Sequence, residues 1–326
     1  MPSLNADSSS GALAATTNGD GTHAESGGGG SGAQGEAGGE YINENESEQY
    51  DRQIRLWGVD AQKRMSGSRV LFAGIRGVTV EACKNLVLAG VSATLQDDQP
   101  ARPEDLGANF FLEAADVGKN RAAVCCPRMQ ELNALVGVTA EERPLAELSD
   151  EFLSAFRAVV LCGASPEQRR RVAGVCRAHG KAFYSVETFG YDGFLFCDLG
   201  AKHVFRKEVG KALSKPIEME YPTLQEAEAA MWGDLKDRWG PVPKQYVVAQ
   251  LILAFHERHG RRPGPVDTEA FGALSAETLG RRGLPAGFLE GGEAEACSLA
   301  GAEISPVCAV LGGILGQEVH AGLQCQ

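Results

Sequence analysis

Residues 69–97 read RVLFAGIRGVTVEACKNLVLAGVSATLQD, and this stretch decides the fold class. It opens with an apolar run at Arg69–Ala73 that predicts a buried strand, and Gly74–Val78 predicts a tight turn. Thr79–Ala89 has the apolar spacing of a helix, and Val91–Leu95 predicts a second strand. The stretch therefore forms one strand–helix–strand unit, in which the two strands run parallel because a helix connects them.

The same alternation continues towards the C-terminus. Further strands are predicted at 136–139, 158–161 and 182–186, and further helices at 119–132 and 167–179. Strands and helices that alternate at these lengths are typical of an α/β fold. We expect a doubly wound, mostly parallel Rossmann-like sheet with helices on both faces.

The pattern changes after Glu187. Residues 193–199 and 203–208 predict two strands joined by a short turn, which would pair antiparallel. Residues 223–303 predict a helical segment, and Ser305-Pro306 predicts the start of the last helix, with serine as the N-cap and proline at the first helical position.

The N-terminal part differs in composition from the rest. Residues 1–48 are rich in glycine, serine, alanine and threonine, and predict a disordered tail ahead of one domain at 49–326. The net charge is −12, and residues 1–49 hold eight acidic residues and no lysine or arginine. Since the remaining chain carries only −4, we expect no broad surface for binding nucleic acid.

The sequence also argues against a membrane protein and against a metal-binding protein. No run approaches the ~20 apolar residues of a membrane helix, and no signal peptide is evident. The nine cysteines include no Cys-x-x-Cys pair, which indicates a reducing compartment and no zinc site. We expect the cysteines to be core residues, and Cys308, at the start of the last helix, is the best placed of them for a nucleophile.

The first ordered segment is predicted to be one helix with an apolar stripe, in which Gly58 is a weak point. The stripe consists of Tyr50, Ile54, Trp57, Ala61 and Met65. Arg52 lies at the start of this helix. Exposed arginines are usually only solvated, but a guanidinium can also bind a phosphate across an interface. Arg55, one turn later, is the alternative for that role.

The glycine turn is poorly suited to phosphate. A phosphate-binding turn needs glycine where the backbone approaches the ligand, and this turn has arginine and threonine at two of the three fingerprint positions. A structural turn without ligand is therefore favoured. Asp97 stands about 20 residues later, where a ribose-binding acid belongs, but beside this turn we expect a strand-end carboxylate in solvent. A NAD-dependent oxidoreductase remains an alternative, against which the broken fingerprint argues.

Six segments together resemble the ubiquitin-like protein activating enzymes, and among these the small, non-thioester subunits of SUMO-activating heterodimers. Together they span residues 50–319. They are YDRQIRLWG (50–58), KNLVLAGV (84–91), PEDLGANFF (103–111), VGKNRA (117–122), FGYDG (189–193) and ISPVCAVLGGILGQEV (304–319). The regulatory subunits of NEDD8-activating enzymes share several of them and form a second alternative.

This resemblance implies a ThiF/MoeB-like adenylation fold and a heterodimer. The partner would be the catalytic subunit 2 of the SUMO-activating enzyme, which binds ATP and Mg²⁺, adenylates SUMO and takes it onto its own cysteine. This chain would bind no cofactor of its own and would be inactive alone. The resemblance assigns to Arg52 a catalytic role in trans, at the ATP site of the partner.

The resemblance also implies that the nucleotide site of this chain is degraded. Catalytic subunits have glycine where Arg76 and Thr79 stand here, and an arginine that Gly107–Phe110 lacks. Cys162–Pro166 lacks their magnesium-binding aspartate. The degraded turn comprises Gly74, Arg76, Gly77, Thr79 and Asp97, and no metal site is expected.

Two further expectations follow from the resemblance. Family members continue past the last helix with an extended strand, whereas this sequence stops at Gln326. An adaptor that has lost its partner is therefore a further alternative. The expected location is the nucleus, and also the cytoplasm.

Overall fold

The computed structural model describes residues 44–206, 208–209, 212–237 and 240–324. Residues 1–43 of the predicted tail lie outside the described residues. The end of that predicted tail is helical, because Glu44–Gln49 forms helix α1. Gln49 anchors this helix, since its Nε2 donates a hydrogen bond to Asn133 Oδ1 at 3.0 Å.

A six-stranded sheet lies at the centre of the domain, with strand order β3-β2-β1-β4-β5-β6. Its strands are β1 (Arg69–Ala73), β2 (Ser92–Gln96), β3 (Val138–Glu141), β4 (Ala158–Cys162), β5 (Ala182–Phe189) and β6 (Asp192–Asp198). The first five strands run parallel, and only β6 is antiparallel, against β5. The predicted α/β class with a mostly parallel, doubly wound sheet is confirmed.

Helices cover the sheet, and short strands lie outside it. After α1 the helices are α2 (Asp51–Trp57), α3 (Val59–Ser66), α4 (Gly77–Leu88), α5 (Arg121–Gln130), α6 (Asp150–Ser154), α7 (Pro166–Ala178), α8 (Leu224–Ala229), α9 (Lys244–His259), α10 (Thr268–Arg281), α11 (Glu293–Leu299) and α12 (Ser305–Gln324). The short strands are β7 (His203–Phe205), β8 (Glu208–Val209), β9 (Ala212–Leu213), β10 (Ile217–Met219), β11 (Lys236–Asp237) and β12 (Gly240–Pro241). Within the described residues, no helix is both long and apolar enough to cross a membrane.

The single helix predicted over residues 50–65 is wrong, because the segment forms two helices. Gly58 separates α2 from α3 and has φ +87°. A positive φ is incompatible with a continuing right-handed helix, and glycine adopts it at little cost. Tyr50 and Met65 from the two ends of the segment are both buried, as the apolar stripe indicated.

The predicted pairing between 193–199 and 203–208 is also wrong. Strand β6 pairs instead with β5, through the two-residue connection Gly190-Tyr191, in which Gly190 has φ +61°. Strand β7 pairs with β10 in a separate two-stranded sheet. Strand β5 extends three residues beyond its predicted end, and β6 pairs with it from Phe183 to Phe189.

The core lies on both faces of the sheet because successive side chains of a strand point to opposite sides. In β1, Val70 and Phe72 face the cluster beneath α4 and α12, whereas Leu71 and Ala73 face the cluster beneath α6 and α7. All five residues of β4 are buried. A strand with both faces buried reads as a continuous apolar run, which explains why the sequence located these strands well.

Helix α12 packs directly on α4 through glycine. A Cβ added at Gly312 would lie 2.5 Å from the Cβ of Glu81 and 2.9 Å from the carbonyl oxygen of Val78. A Cβ at Gly316 would make an ordinary contact, 3.4 Å from the Cβ of Asn85, whereas one at Gly313 would meet nothing within 4 Å. The close approach of the two helices therefore requires Gly312 but not Gly313.

Replacing Gly312 by alanine is expected to destabilise the protein, because the new methyl group must push α12 away from α4. We expect a loss of about 1–3 kcal/mol in the free energy of unfolding, measured by urea denaturation. Gly313→Ala is the matched control, and should be neutral or stabilise by up to about 1 kcal/mol through helix propensity. Equal effects at the two positions would contradict this account of the packing.

Candidate functional site: the turn after the first strand

The glycine turn lies at the carboxyl edge of the sheet, between β1 and α4. Gly74 has φ +84°, and a Cβ there would lie only 2.0 Å from the carbonyl oxygen of Cys162. At Gly77 a Cβ would lie 2.7 Å from the Cβ of Ala108 and 2.9 Å from Cys308 Sγ. Both glycines are therefore required by contacts within the protein, without any ligand.

Arg76 and Thr79 close the turn with their own atoms. The backbone N–H of Arg76 donates to Thr79 Oγ1 at 2.8 Å, and the Thr79 hydroxyl donates to the carbonyl oxygen of Gly74 at 2.7 Å. Thr79 is fully buried. Its side chain thus satisfies a backbone donor at the start of α4 and holds the turn in one conformation.

The carboxylate of Glu303 occupies the N-terminal end of α4. Its Oε2 accepts a hydrogen bond from the amide of Gly77 at 3.3 Å, and its Oε1 accepts from Arg76 Nε at 3.0 Å and from the Thr188 hydroxyl at 3.3 Å. A helix N-terminus favours an anion, because its free N–H groups and the helix dipole both attract negative charge. A phosphate brought to this helix end would meet a negative charge that belongs to the protein.

The electrostatics of Arg76 follow from this contact. Burial opposes the charged form of its guanidinium, but the surrounding negative groups, the Glu303 carboxylate foremost, together outweigh burial and raise the pKa of Arg76. The Arg76 side chain is 25% exposed and that of Glu303 is 8% exposed. The pair is therefore largely removed from water, and each charge depends on the other for compensation.

A second ion pair lies beside the first. Arg262 donates from its terminal nitrogens to Glu187, and to the carbonyl oxygens of Ala300 and Thr188 at 2.9 and 3.3 Å. Glu187 also accepts a hydrogen bond from the amide of Gly163 at 3.1 Å. This carboxylate, at the end of β5, is 4% exposed and has its hydrogen-bonding capacity used inside the protein.

Asp97 is not in solvent, so that expectation is wrong. It is 3% exposed, and its Oδ2 accepts a hydrogen bond from the amide of Ile75 at 2.7 Å. Arg121 donates to Asp97 Oδ1 at 3.1 Å and also lies 3.3 Å from Asp105. The sequence could not show this pairing because Arg121 lies 24 residues away, on α5. Asp97 therefore stabilises the turn through its hydrogen bond from the Ile75 amide.

The stretches that match nucleotide contacts in the family are built into the core or the turn. Asn109, in the segment without arginine, is 1% exposed and donates to the carbonyl oxygen of Ile75 at 3.4 Å. The resemblance implies that this chain lacks the magnesium-binding aspartate that catalytic subunits have after β4. Gly163 follows β4 here, and it has φ +71°. In the part of the chain that the structure describes, no three His, Cys, Asp or Glu side chains converge as metal ligands.

Arg52 and Arg55 differ in their partners although both lie exposed on α2. Arg55 Nε donates to Asp51 Oδ1 at 3.0 Å, one turn earlier on the same helix. For Arg52 the described residues offer no hydrogen bond and no ion pair. Its guanidinium is therefore available for a contact outside this chain, whereas Arg55 is engaged.

The cysteines have the character of core residues. The eight described cysteines are free thiols, and burial raises the pKa of each one. For Cys308, the best placed nucleophile in the sequence, the pKa is raised to about 12. A thioester-forming cysteine needs a lowered pKa, so none of these eight suits that role. Cys325 lies outside the described residues.

An apolar groove, the α4–α12 groove, runs between α2, α4 and α12. It encloses about 610 Å³ and is lined by residues that include Gln53, Trp57, Asn85, Val310, Gly313 and Ile314. Val310 and Ile314 are 67% and 46% exposed. Gln53 follows Arg52 directly, so the groove and the unpaired arginine are neighbours on α2.

Comparison with protein families identifies this architecture. The family model described as the ThiF family matches residues 50–324. The chain belongs to the ThiF family. The match covers the sheet, the turn and α12.

Three individual relatives give more specific information than the family model does. SUMO-activating enzyme subunit 1 of Xenopus laevis is 35% identical over 312 residues, covering 86% of this chain and 90% of that protein. SUMO-activating enzyme subunit 1B-1 of Arabidopsis thaliana is 36% identical over 290 residues, with 86% and 89% covered. SUMO-activating enzyme subunit 1 of Homo sapiens is 33% identical over 318 residues, with 88% and 90% covered. The resemblance seen in the six sequence segments is confirmed, and neither the NEDD8 nor the oxidoreductase alternative is favoured.

Solved structures support the fold alone. A crystal structure of E. coli MccB with MccA-N7isoASN superposes with a TM-score of 0.52 at 13% sequence identity, covering 88% of this chain and 66% of that chain. A structure of E. coli MccB with succinimide gives a TM-score of 0.51. At this identity the agreement concerns the ThiF-like architecture and not the ligands.

Sequence reasoning missed the charged residues at the turn and beside it. Glu303, Glu187 and Arg262 were not singled out, because nothing in their local sequence marks them. Glu303 and Arg76 are separated by 227 residues, and Arg262 and Glu187 by 75. Only the folded chain brings these charges together, so no spacing rule would have found them.

Replacing Glu303 by glutamine is expected to destabilise the protein by about 2–3 kcal/mol, because the Arg76 guanidinium loses its compensating charge in a mostly buried place. Urea denaturation measures the change. The double variant Arg76→Met/Glu303→Gln should recover part of the loss, since no unpaired charge remains.

Glu218→Gln is the control for this prediction. Glu218 pairs with Lys202 at 3.1 Å, but both side chains are more than 60% exposed. Its loss should change the free energy of unfolding by less than about 1 kcal/mol. An effect at Glu303 no larger than that at Glu218 would show that the buried pair does not hold the turn.

Proposed function

We propose that this chain is the regulatory subunit of a heterodimeric SUMO-activating enzyme and binds no nucleotide of its own. The observation that carries the proposal is the Glu303 carboxylate at the N-terminus of α4, where a nucleotide phosphate would otherwise bind. Relatives named SUMO-activating enzyme subunit 1 match along about 90% of their length. The ThiF-like fold, together with a turn whose helix end is occupied by Glu303, suits a subunit that assists the nucleotide site of another chain.

In the proposed complex the chemistry takes place on the catalytic partner, which holds ATP and Mg²⁺. The C-terminal carboxylate of SUMO attacks the α-phosphate, pyrophosphate leaves, and a SUMO-adenylate forms. A cysteine of the partner then displaces AMP to give a thioester. The described cysteines of this chain take no part, in keeping with their raised pKa values.

Arg52 is the residue through which this chain contributes to that chemistry. Its guanidinium is permanently charged and can bind two phosphate oxygens at once. It is exposed, and the described part of this chain offers it no partner. We propose that it reaches the ATP phosphates of the partner and stabilises the negative charge that develops there.

The α4–α12 groove is the proposed docking surface for the catalytic subunit. Two observations support that occupant: the groove is apolar and exposed at Val310 and Ile314, and it adjoins the helix that carries Arg52. A partner seated in the groove would place its own site beside Arg52. We further propose that the complex works in the nucleus and cytoplasm, as protein sumoylation would require.

Arg52→Ala is expected to lower ATP–pyrophosphate exchange by the reconstituted heterodimer at least tenfold, which corresponds to about 1.4 kcal/mol of lost transition-state stabilisation. Arg55→Ala is the matched control, because Arg55 lies on the same helix but is engaged with Asp51. It should retain activity within about twofold. Exchange that survives unchanged in Arg52→Ala would remove the role in trans, and exchange by the isolated chain would overturn the proposed function.

Ile314→Arg is expected to prevent co-purification with the catalytic subunit, because it places a charge in the lining of the apolar groove. The side chain is exposed, so the variant should unfold at the same urea concentration as the parent protein. Val266→Arg is the control, since Val266 is 92% exposed and lies away from the groove lining. If Ile314→Arg still assembles normally, the groove is not the docking surface.

A further inference from the structure

A second cavity lies between α7, α8, α9 and α10, and shares no lining residue with the turn or with the α4–α12 groove. Its volume is about 220 Å³. A water molecule takes about 30 Å³ of liquid volume, and drug-sized ligands occupy pockets of about 300–1,000 Å³. The cavity therefore suits a small ion with some water, and is too small for a nucleotide.

Arg169 is the most deeply buried charged residue in the wall of this cavity. It is only 1% exposed, and its Nε donates a hydrogen bond to Ser185 Oγ at 3.0 Å. Its closest carboxylate oxygen among the described residues is Glu228 Oε1, 3.8 Å from a terminal nitrogen, which is too far for a hydrogen bond. The terminal nitrogens of a buried guanidinium thus face the cavity with unused donors.

The two carboxylates in the wall are already engaged by a different arginine. Arg170 donates from Nε to Glu228 at 2.7 Å, and from its terminal nitrogens to Glu257 at 2.5 and 3.1 Å. The wall also contains Arg281 and Arg282. Four guanidinium groups and two carboxylates line the cavity, so its wall is cationic, and Arg281 also lies 3.7 Å from the Glu277 carboxylate outside the wall.

The Thr278 hydroxyl is a second, independent observation that points to a ligand in this cavity. Its hydroxyl lines the same cavity, the residue is 4% exposed, and Oγ1 has no hydrogen-bond partner among the described residues. Buried hydroxyl groups are nearly always hydrogen-bonded, because leaving one unpaired costs about as much as a lost hydrogen bond. The cavity thus combines a cationic wall with a buried hydroxyl that can donate a hydrogen bond to an acceptor inside it.

We propose that this cavity is a binding site for a small phosphate-type oxyanion. Arg169 and Arg281 compensate the charge of the ion, and Thr278 donates a hydrogen bond to one of its oxygens. The planar guanidinium fork matches two oxygens of a phosphate, which a simple halide ion does not offer. The proposal stands apart from the function proposed above, because neither the partner nor the ATP site enters it.

Calorimetry on the full chain tests the proposal, with inorganic phosphate and pyrophosphate titrated separately and chloride at matched ionic strength as the reference. We expect one phosphate-type ion per chain and no binding of chloride. Thr278→Val and Arg281→Gln should each weaken binding about tenfold. Arg143→Gln is the matched control, because Arg143 pairs with Glu141 outside the cavity, and it should bind within twofold of the parent.

Three results would overturn the proposal: no binding by the parent protein, parental affinity in both cavity variants, or equal loss in Arg143→Gln. The last would reveal attraction by surface charge alone. A separate readout uses thermal unfolding without phosphate, where Thr278→Val should melt at or above the parent temperature, since it removes an unpaired hydroxyl. A clear drop in melting temperature there would mean that the hydroxyl has a partner in the fold, and would also refute the site.

Discussion

The Glu303 carboxylate accepts hydrogen bonds from the amide of Gly77 and the guanidinium of Arg76 at the N-terminal end of α4. This contact joins the first strand–turn–helix unit to the segment just before α12, 227 residues later in the chain. It supplies the negative charge that a helix N-terminus attracts. In most nucleotide-binding α/β proteins that charge comes from the ligand, whereas here it is part of the polypeptide.

The surrounding side chains reinforce the same closure. Thr79 satisfies the backbone of the turn, Asp97 accepts the amide of Ile75, and Glu187 accepts the amide of Gly163. Each of these groups uses a hydrogen-bonding position at the carboxyl edge of the sheet, where α/β proteins usually hold their ligands. The polar groups at this edge of the sheet are therefore hydrogen-bonded within the protein. Other surfaces of the chain remain for interaction.

Two other features of the chain, one groove and one cavity, differ in polarity. The α4–α12 groove is apolar and adjoins the unpaired Arg52, which suits docking of another protein subunit. The cavity behind α7 is cationic and small, which suits an ion. Helix α12 links the closed turn to the groove: its Gly312 face packs on α4, and its Gly313 and Ile314 face lines the groove. The close helix contact that glycine permits therefore also shapes the α4–α12 groove.

The sequence by itself determined the order of strands and helices and the α/β class, because buried parallel strands read as apolar runs such as Arg69–Ala73 and Ala158–Cys162. It also marked the turn and the exposed Arg52, because glycine spacing and a family motif are local signals. Only the tertiary structure decided the break at Gly58, the pairing of β6 with β5, and the carboxylates that fill the turn. Backbone torsion at one glycine, the choice of a strand partner and ion pairs between distant residues all depend on which segments meet in space, and no local pattern of residues encodes that.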